Sequence, residues 1–321
     1  MSFYEEENPA DISIEEILPS IKNYLPEINV KSIRFFYHGT YNVFDIKNEY
    51  ILRVADREFR NIIGLEMIRR ESRLLNFLQK KFDLSIPEIL FIHESEKIPF
   101  SIHKKIPGKS LVFVIPNLSN SQKKSIGAKI GLFLSILHSE ELKLNIKKHF
   151  PEQEEFSITD KEFINSFRLF WISRYKEAKE IAFNYLNKKE KIWLTKIFED
   201  YLNEPDNFSF SPRTTHCDFD TSNILVDTTS NQLTGIIDFE DCKIWDPAAD
   251  LLFFDDGSIF MKEILDNYEF TNQKSLLDRM KFFYCRTCVP YLVWGTLHNR
   301  QGMIEEGIRK VKKNMKLFPI E

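Results

Sequence analysis

Glycine, cysteine, basic surplus and long apolar runs are all in short supply in this chain. Ten glycines in 321 residues leave little material for glycine-rich loops, while 29 phenylalanines point instead to large aromatic cores. Four cysteines in a chain this long do not make a disulfide framework. Cys285-Arg-Thr-Cys288 has metal-ligand spacing, but no second CxxC or HxxxH accompanies it, so packed, reduced thiols are expected there and at Cys217 and Cys242. A net charge of -4 lacks the positive excess of a dedicated nucleic-acid binder. No apolar run reaches the length of a membrane span, and Met1-Ser-Phe-Tyr-Glu-Glu-Glu7 is acidic where a secretory signal is basic. A cytoplasmic protein without nucleic-acid or membrane partners is therefore the expectation. Repeats and low-complexity tracts are also missing.

A hydrophobic share of 43% with 29% charged residues describes an ordinary globular chain, long enough for two lobes or one large domain. Ser13-Ile-Glu-Glu16 has capping-box spacing and predicts a short helix ending near Leu25. Ile33–Tyr37, Tyr41–Ile46 and Tyr50–Val54 are β-branched and aromatic segments with tight connections, a meander of antiparallel strands. Residues 58–82 switch to a helical period, and strand signals return through Phe91-Ile92 and Phe100-Ser-Ile102. Pro107-Gly108 marks a boundary. Beyond it, residues 121–139, 159–185, 188–203, 259–268 and 274–298 read as helices, interrupted by a hairpin of Asn223–Val226 and Leu233–Ile237.

The chemistry concentrates in residues 216–250: His216-Cys-Asp218-Phe-Asp-Thr-Ser-Asn223, then Ile236-Ile-Asp238-Phe239, then Asp246-Pro-Ala-Ala-Asp250. Phosphoryl transfer needs a positioned hydroxyl, a divalent metal and groups that hold the phosphates. Asp218 can orient the hydroxyl. Asn223 and Asp238 offer the oxygen donors that suit Mg2+. Upstream, backbone amides of Gly39-Thr40-Tyr41-Asn42 could cover phosphates, although a turn would call for glycine anyway. Arg53 closes one strand, and Glu71 follows 18 residues later on a helix, where the two could pair. Asp250 reads equally as a helix cap or as a buried anchor for the loop around His216, itself a loop organiser. Residues 214–280 hold 14 acidic and four basic residues, and 281–321 hold eight basic and three acidic. Both a solvated face balanced by a basic tail and a cleft for a cationic substrate fit that asymmetry; the second is favoured because the acids surround the motifs.

These motifs resemble the aminoglycoside phosphotransferase and protein-kinase-like superfamily, through His216-x-Asp218-x4-Asn223, Ile237-Asp238-Phe239 and Asp246-Pro-x-x-Asp250. Upstream, Gly39–Asn42, Leu52-Arg53, Arg70-Glu71, Ile106-Pro107-Gly108 and Leu137-His138 extend it over nearly the whole chain. Leu233-Thr-Gly-Ile-Ile-Asp-Phe and Asp255-Asp256 look most similar to the aminoglycoside 2''-phosphotransferases. The resemblance implies an α+β, two-lobed kinase-like fold: an antiparallel-sheet nucleotide lobe over 1–101, a hinge at 102–108, and a mainly helical lobe over 109–321. It implies a monomeric, Mg2+-dependent kinase that moves the γ-phosphate of ATP or GTP to a hydroxyl of an aminoglycoside, as an antibiotic-resistance enzyme would. The purine would lie against His103, Lys104 and Lys105, and Glu240, Asp255 and Asp256 would join Asp218 on the substrate side. Glu240 stands where protein kinases carry glycine, and Lys281–Gly295 lacks the carboxylates that 2''-phosphotransferases often place there. A macrolide or metabolite kinase and a nucleotide-binding pseudokinase are the alternatives.

Overall fold

A computed structural model describes residues 10–151, 158–270 and 275–320. The acidic start at Met1–Glu7 and the first residue of the helix expected from Lys274 lie outside those residues. The chain divides into two compact units, one made of the residues up to Asn117 with Thr221–Asp241, the other of Leu118–Asp220 with the chain from Cys242 onward.

The first unit is built on an antiparallel sheet of β1 (Ile33–His38), β2 (Tyr41–Ile46), β3 (Tyr50–Ala55), β4 (Glu88–His93) and β5 (Phe100–Lys104), in the order β1-β2-β3-β5-β4. Side chains alternate across a strand, so β3 shows Leu52 and Val54 to one face and Arg53 and Ala55 to the other. The first face packs Leu52, Val54, Phe44, Phe100 and Ile102 against Ile17 and Ile21 of helix α1 (Ile14–Lys22). Its Ser13 cap forms, with Oγ accepting from the Glu16 amide at 3.2 Å. The second face buries Tyr41, Val43 and Ala55 against Ile68 of helix α2 (Ile62–Leu78). Glu71 lies one turn beyond Ile68 on the same helix, so alternation and helical period together aim Arg53 and Glu71 into the same layer.

The expected hairpin forms from β8 (Ile224–Val226) and β9 (Leu233–Ile236), joined at the side by β6 (Lys109–Ser110). Its place in the first unit, outside the contiguous division read from the sequence, follows from long-range pairing. Lys109 and Ser110 pair with Val226 and Leu225, and the Ile236 amide donates to Ser85 O at 2.9 Å. Gly108 has φ +132°, and a Cβ there would lie 2.9 Å from Val226 O, so glycine is required where the chain turns onto the hairpin.

The second unit is helical: α3 (Asn120–Leu137), α4 (Glu140–His149), α5 (Asp160–Glu180), α6 (Lys188–Asn203), α7 (Ser258–Asp266), α8 (Leu276–Arg286), α9 (Cys288–Leu297) and α10 (Gln301–Leu317). A small ribbon of β7 (Arg213–Thr215) and β10 (Lys243–Trp245) joins them. The aromatic surplus fills this core: Tyr201 stacks on Phe282 with centroids 3.6 Å apart, and Trp171 meets Phe282 edge-on at 5.0 Å. One helix was expected over 274–298, but two form, joined at Thr287. Cys285 and Cys288 are buried at that junction. Burial raises both thiols, Cys288 to about 12, which keeps them protonated and inert. Among the described residues no helix is long and apolar enough to cross a membrane.

Candidate functional site

In the first unit the site is organised by one guanidinium. Arg53 Nη1 donates to both Glu71 carboxylate oxygens, at 2.6 and 2.8 Å. Its Nη2 donates to Glu240 Oε2 at 2.6 Å and to Asp238 Oδ1 at 3.2 Å. Tyr41 supports it from below, with the guanidinium carbon 4.2 Å from the ring centroid. Burial alone would weaken the charge of Arg53, but Glu71, Asp238 and Glu240 outweigh that and hold its pKa well above the ordinary value. Three carboxylates around one cation leave a negative surplus. Desolvation, reinforced by Asp238, pushes the Glu240 carboxyl well above its usual range, and burial raises Glu71 against the pull of Arg53.

Asp238 sits at the end of the hairpin with φ 69°, a left-handed conformation uncommon for residues other than glycine. The turn it makes lets Asp238 and Glu240 reach the same guanidinium. Arg70 Nη1 donates to Glu240 O at 3.1 Å and fixes the main chain there. Asn223 is tied to the same segment, because the Ile237 amide donates to Asn223 O at 2.9 Å. Glu240, expected among the substrate acids, is thus engaged by Arg53.

The Gly39 loop is braced at both ends. His38 pairs with Asp56 at 2.6 Å. Asn42 Nδ2 donates to Asp11 Oδ1 at 2.7 Å while its Oδ1 accepts from the Asp11 amide at 2.9 Å, so its side chain is committed to structure. Asp11 is also held by Arg60. The turn does not itself call for glycine, contrary to expectation: Gly39 is outside the left-handed region, and a Cβ would meet only Tyr37 Cε2, at 3.8 Å. Thr40 O accepts from the Asp56 amide at 3.0 Å. In the segment expected to be the hinge, His103 lies on β5 and is buried, 2.7 Å from Ser101 Oγ, and burial holds its pKa well below the ordinary value. Lys104 is exposed, whereas Lys105 pairs with Asp45 and its amide donates to Glu49 O at 2.9 Å.

In the second unit the loop carrying Asp218 hangs on Asp250. The His216 amide donates to Asp250 Oδ2 at 2.6 Å and the Cys217 amide to Oδ1 at 2.8 Å. His138 Nε2 lies 3.0 Å from Oδ2, and its Nδ1 lies 2.7 Å from the Tyr268 hydroxyl. An ionised carboxylate only accepts, so His138 presents Nε2–H to it. Of the two structural roles read for Asp250, the anchor is the one observed; the cap belongs to Asp246, which accepts from the Ala248 amide at 2.9 Å and from Arg279 Nε at 2.9 Å. Around the anchor the loop alternates: His216 is buried, Cys217 turns with φ 71°, Asp218 is exposed, and Phe219 stacks on Phe133 at 5.7 Å. His138, noted only as part of a motif, is thus a structural member of this anchor. Arg286, unmarked by any sequence signal, lies close enough to Asp218 for their charges to interact.

Asp255 accepts from the Tyr284 hydroxyl and from Lys313 Nζ, the latter at 2.5 Å. The basic tail therefore neutralises one of the acids expected to attract substrate. Asp256 is half-buried beside it.

The antiparallel-sheet unit, the helical unit and the placed motif residues define a kinase-like fold. The sequence pattern of the phosphotransferase enzyme family matches residues 32–283, and the chain belongs to that family. Among solved structures it is similar to the GDP complex of aminoglycoside 2'-phosphotransferase-IIIa, at 20% identity over 95% of this chain and 99% of that one, with a TM-score of 0.80. The GDP and kanamycin complex of APH(2'')-IIIa matches at 21% identity over 94% and 98% of the two chains, with a TM-score of 0.79. The streptomycin–ATP–APH(2'')-IIa ternary complex matches at 20% identity over 96% and 99%, with a TM-score of 0.64.

Proposed function

We propose that the protein transfers the γ-phosphate of ATP or GTP to a hydroxyl of an aminoglycoside. The observation that carries this is the Arg53–Glu71 pair, 2.6 Å long and buried beside Asp238, a metal-ligand candidate 185 residues away in sequence. A surface ion pair would mean little; this one fixes a cation next to acids that a kinase needs. The aminoglycosides and nucleotides in the similar structures support the substrate classes.

Asn223 and Asp238 supply only oxygen donors, and carboxylates outnumber cations around Arg53, a donor set that fits Mg2+. These two residues would hold the ion, which when bound neutralises phosphate charge. Arg53 and the Thr40 amide bind phosphate oxygens, the Gly39 amide being engaged by Tyr41 O at 3.0 Å, and the hinge at His103–Lys105 receives the purine. Asp218 accepts a hydrogen bond from the acceptor hydroxyl and aligns it. As the hydroxyl oxygen bonds to the γ-phosphorus and the bond to the bridging oxygen breaks, the proton passes to the Asp218 carboxylate. Asp250 holds that loop in place. Asp255 and Asp256 face the ammonium groups of the acceptor.

The engagement of Asp255 by Lys313 favours a second reading, a less highly charged hydroxylated acceptor such as a macrolide or a metabolite. One experiment separates them: incubate the protein with ATP or GTP and panels of aminoglycosides, macrolides and small alcohols, and look for a phosphate mass increment. Aminoglycoside products that disappear in Asp218→Ala, with nucleotide binding retained, are expected. Turnover within a few-fold of wild type in Asp218→Ala refutes the base assignment, and products only from uncharged acceptors refute the aminoglycoside assignment.

A further inference from the structure

The two ends of the Arg53 guanidinium are not equivalent. Nη1 is consumed by a bidentate pair with Glu71 on helix α2. Nη2 is the end left for a ligand, and Glu240 Oε2 occupies it at 2.6 Å, closer than Asp238 at 3.2 Å. A carboxylate oxygen and a phosphate oxygen make the same charge-assisted hydrogen bond to a guanidinium. Resting on the nucleotide-dependent function proposed above, we infer that Glu240 is an internal stand-in for phosphate, which latches Arg53 in the nucleotide-free protein and must be displaced by a phosphate oxygen of the incoming nucleotide.

Three features of the chain fit a latch. The Glu240 side chain keeps 20% of its surface exposed, against 2% for Glu71, so it has room to leave where Glu71 does not. Its main chain is held by Arg70, so release takes a side-chain rotation and no shift of the segment that carries Asp238. The third feature is charge. Glu71, Asp238 and Glu240 set three carboxyl groups beside Arg53 and Arg70, and a triphosphate arriving without a cation meets that acidic cluster. Glu240 therefore makes nucleotide binding more dependent on a divalent ion than Glu71 and Asp238 alone would. It is a positioning residue: it acts on the nucleotide through Arg53.

The test is nucleotide affinity measured by titration calorimetry on the full chain, wild type against Glu240→Gln and Glu240→Gly, with EDTA and with Mg2+. The probes are ATP and GTP, with adenosine and guanosine as the matching ligands that lack phosphate. Removing the competing charge should tighten metal-free triphosphate binding by about 10-fold or more, shrink the gain given by Mg2+, and leave nucleoside affinity unchanged. Unchanged or weaker metal-free triphosphate binding in both variants, while wild type binds Mg-nucleotide, would overturn the latch alone. An equal change in nucleoside affinity would also overturn it, because the effect would not run through phosphate. Failure of wild type to bind either triphosphate under any condition would overturn the kinase function and the latch together.

Discussion

Replacing Asp250 by asparagine keeps the shape of a fully buried side chain and removes its charge. Three donors converge on that carboxylate, at 2.6, 2.8 and 3.0 Å. Asparagine retains one acceptor oxygen and turns an NH2 group toward a donor that can no longer be satisfied. Hydrogen bonds to a charged group contribute about 1.5–3 kcal/mol each, and a stranded buried donor costs about 1–3 kcal/mol. The expected loss is therefore about 3–5 kcal/mol, a large part of the ~5–15 kcal/mol that holds a typical domain together. All four tryptophans (171, 193, 245 and 294) belong to the helical unit, so their fluorescence reports the unit that holds Asp250. With a urea dependence near ~2 kcal/mol per molar, the midpoint should fall by about 1.5–2.5 M at unchanged slope. His138→Ala should cost much less in the Asp250→Asn background than alone, since the two share one bond. Turnover should fall while nucleotide affinity holds, because Arg53, Glu71, Asn223 and Asp238 all lie in the other unit. A midpoint shift worth less than about 1 kcal/mol would refute this account of the anchor.

Two glycine substitutions should behave oppositely. Gly108→Ala, at φ +132° and against Val226 O, should cost about 2–4 kcal/mol in thermal or urea denaturation. Gly39→Ala, with nothing closer than 3.8 Å, should leave stability nearly unchanged; under the proposed function it should weaken nucleotide binding in a calorimetric titration, since an added side chain would stand where the loop's backbone has to approach phosphate. His103 supplies the pH test. Burial depresses its folded pKa, so the unfolded chain takes up the proton first as pH falls. The contribution of His103 is thus full above the ordinary value near 6.5 and is lost at about 1.4 kcal/mol per pH unit below it, until the depressed folded pKa is reached. His103→Gln should flatten the stability–pH curve, followed by circular dichroism between pH 7 and 5.5; an unchanged slope would mean His103 is not buried neutral. Lys313→Ala should leave Asp255 held by the neutral Tyr284 hydroxyl and no longer paired with that cation, raising affinity for a polycationic acceptor in a binding titration, while stability moves by less than ~1 kcal/mol because the ion pair is partly exposed.

Local order was readable because it rests on period. The meander came out within one residue at each end, since β1, β2 and β3 are rich in β-branched and aromatic residues and are separated by turn residues. Helix α10 was not foreseen. Its two glycines, Gly302 and Gly307, lower intrinsic helix propensity, and Gly307 is there because Leu292 and the Cys288 carbonyl press within 2.7 and 3.2 Å of where its Cβ would be. The break within residues 274–298 was missed although Pro290 signals it: a proline inside a helical pattern ends the helix ahead of it, and Pro290 lies in the first turn of α9, where its missing N–H has no partner to lose.

By itself the sequence determined the order and spacing of the chemical groups: the Asp218 loop, the Asn223–Asp238 hairpin, and the Arg53 and Glu71 positions on a strand and a helix. Covalent spacing and side-chain alternation are local, so one chain suffices to read them. Tertiary structure decided which of the many acids meets which cation. Arg53 holds Glu240, 187 residues away, and Lys313 neutralises Asp255, 58 residues away. Asp250, able to cap or to anchor, anchors because two amides and a histidine converge on it. Such choices depend on distances of a few ångströms between groups remote in sequence, and electrostatic energy in a buried site changes steeply over that range.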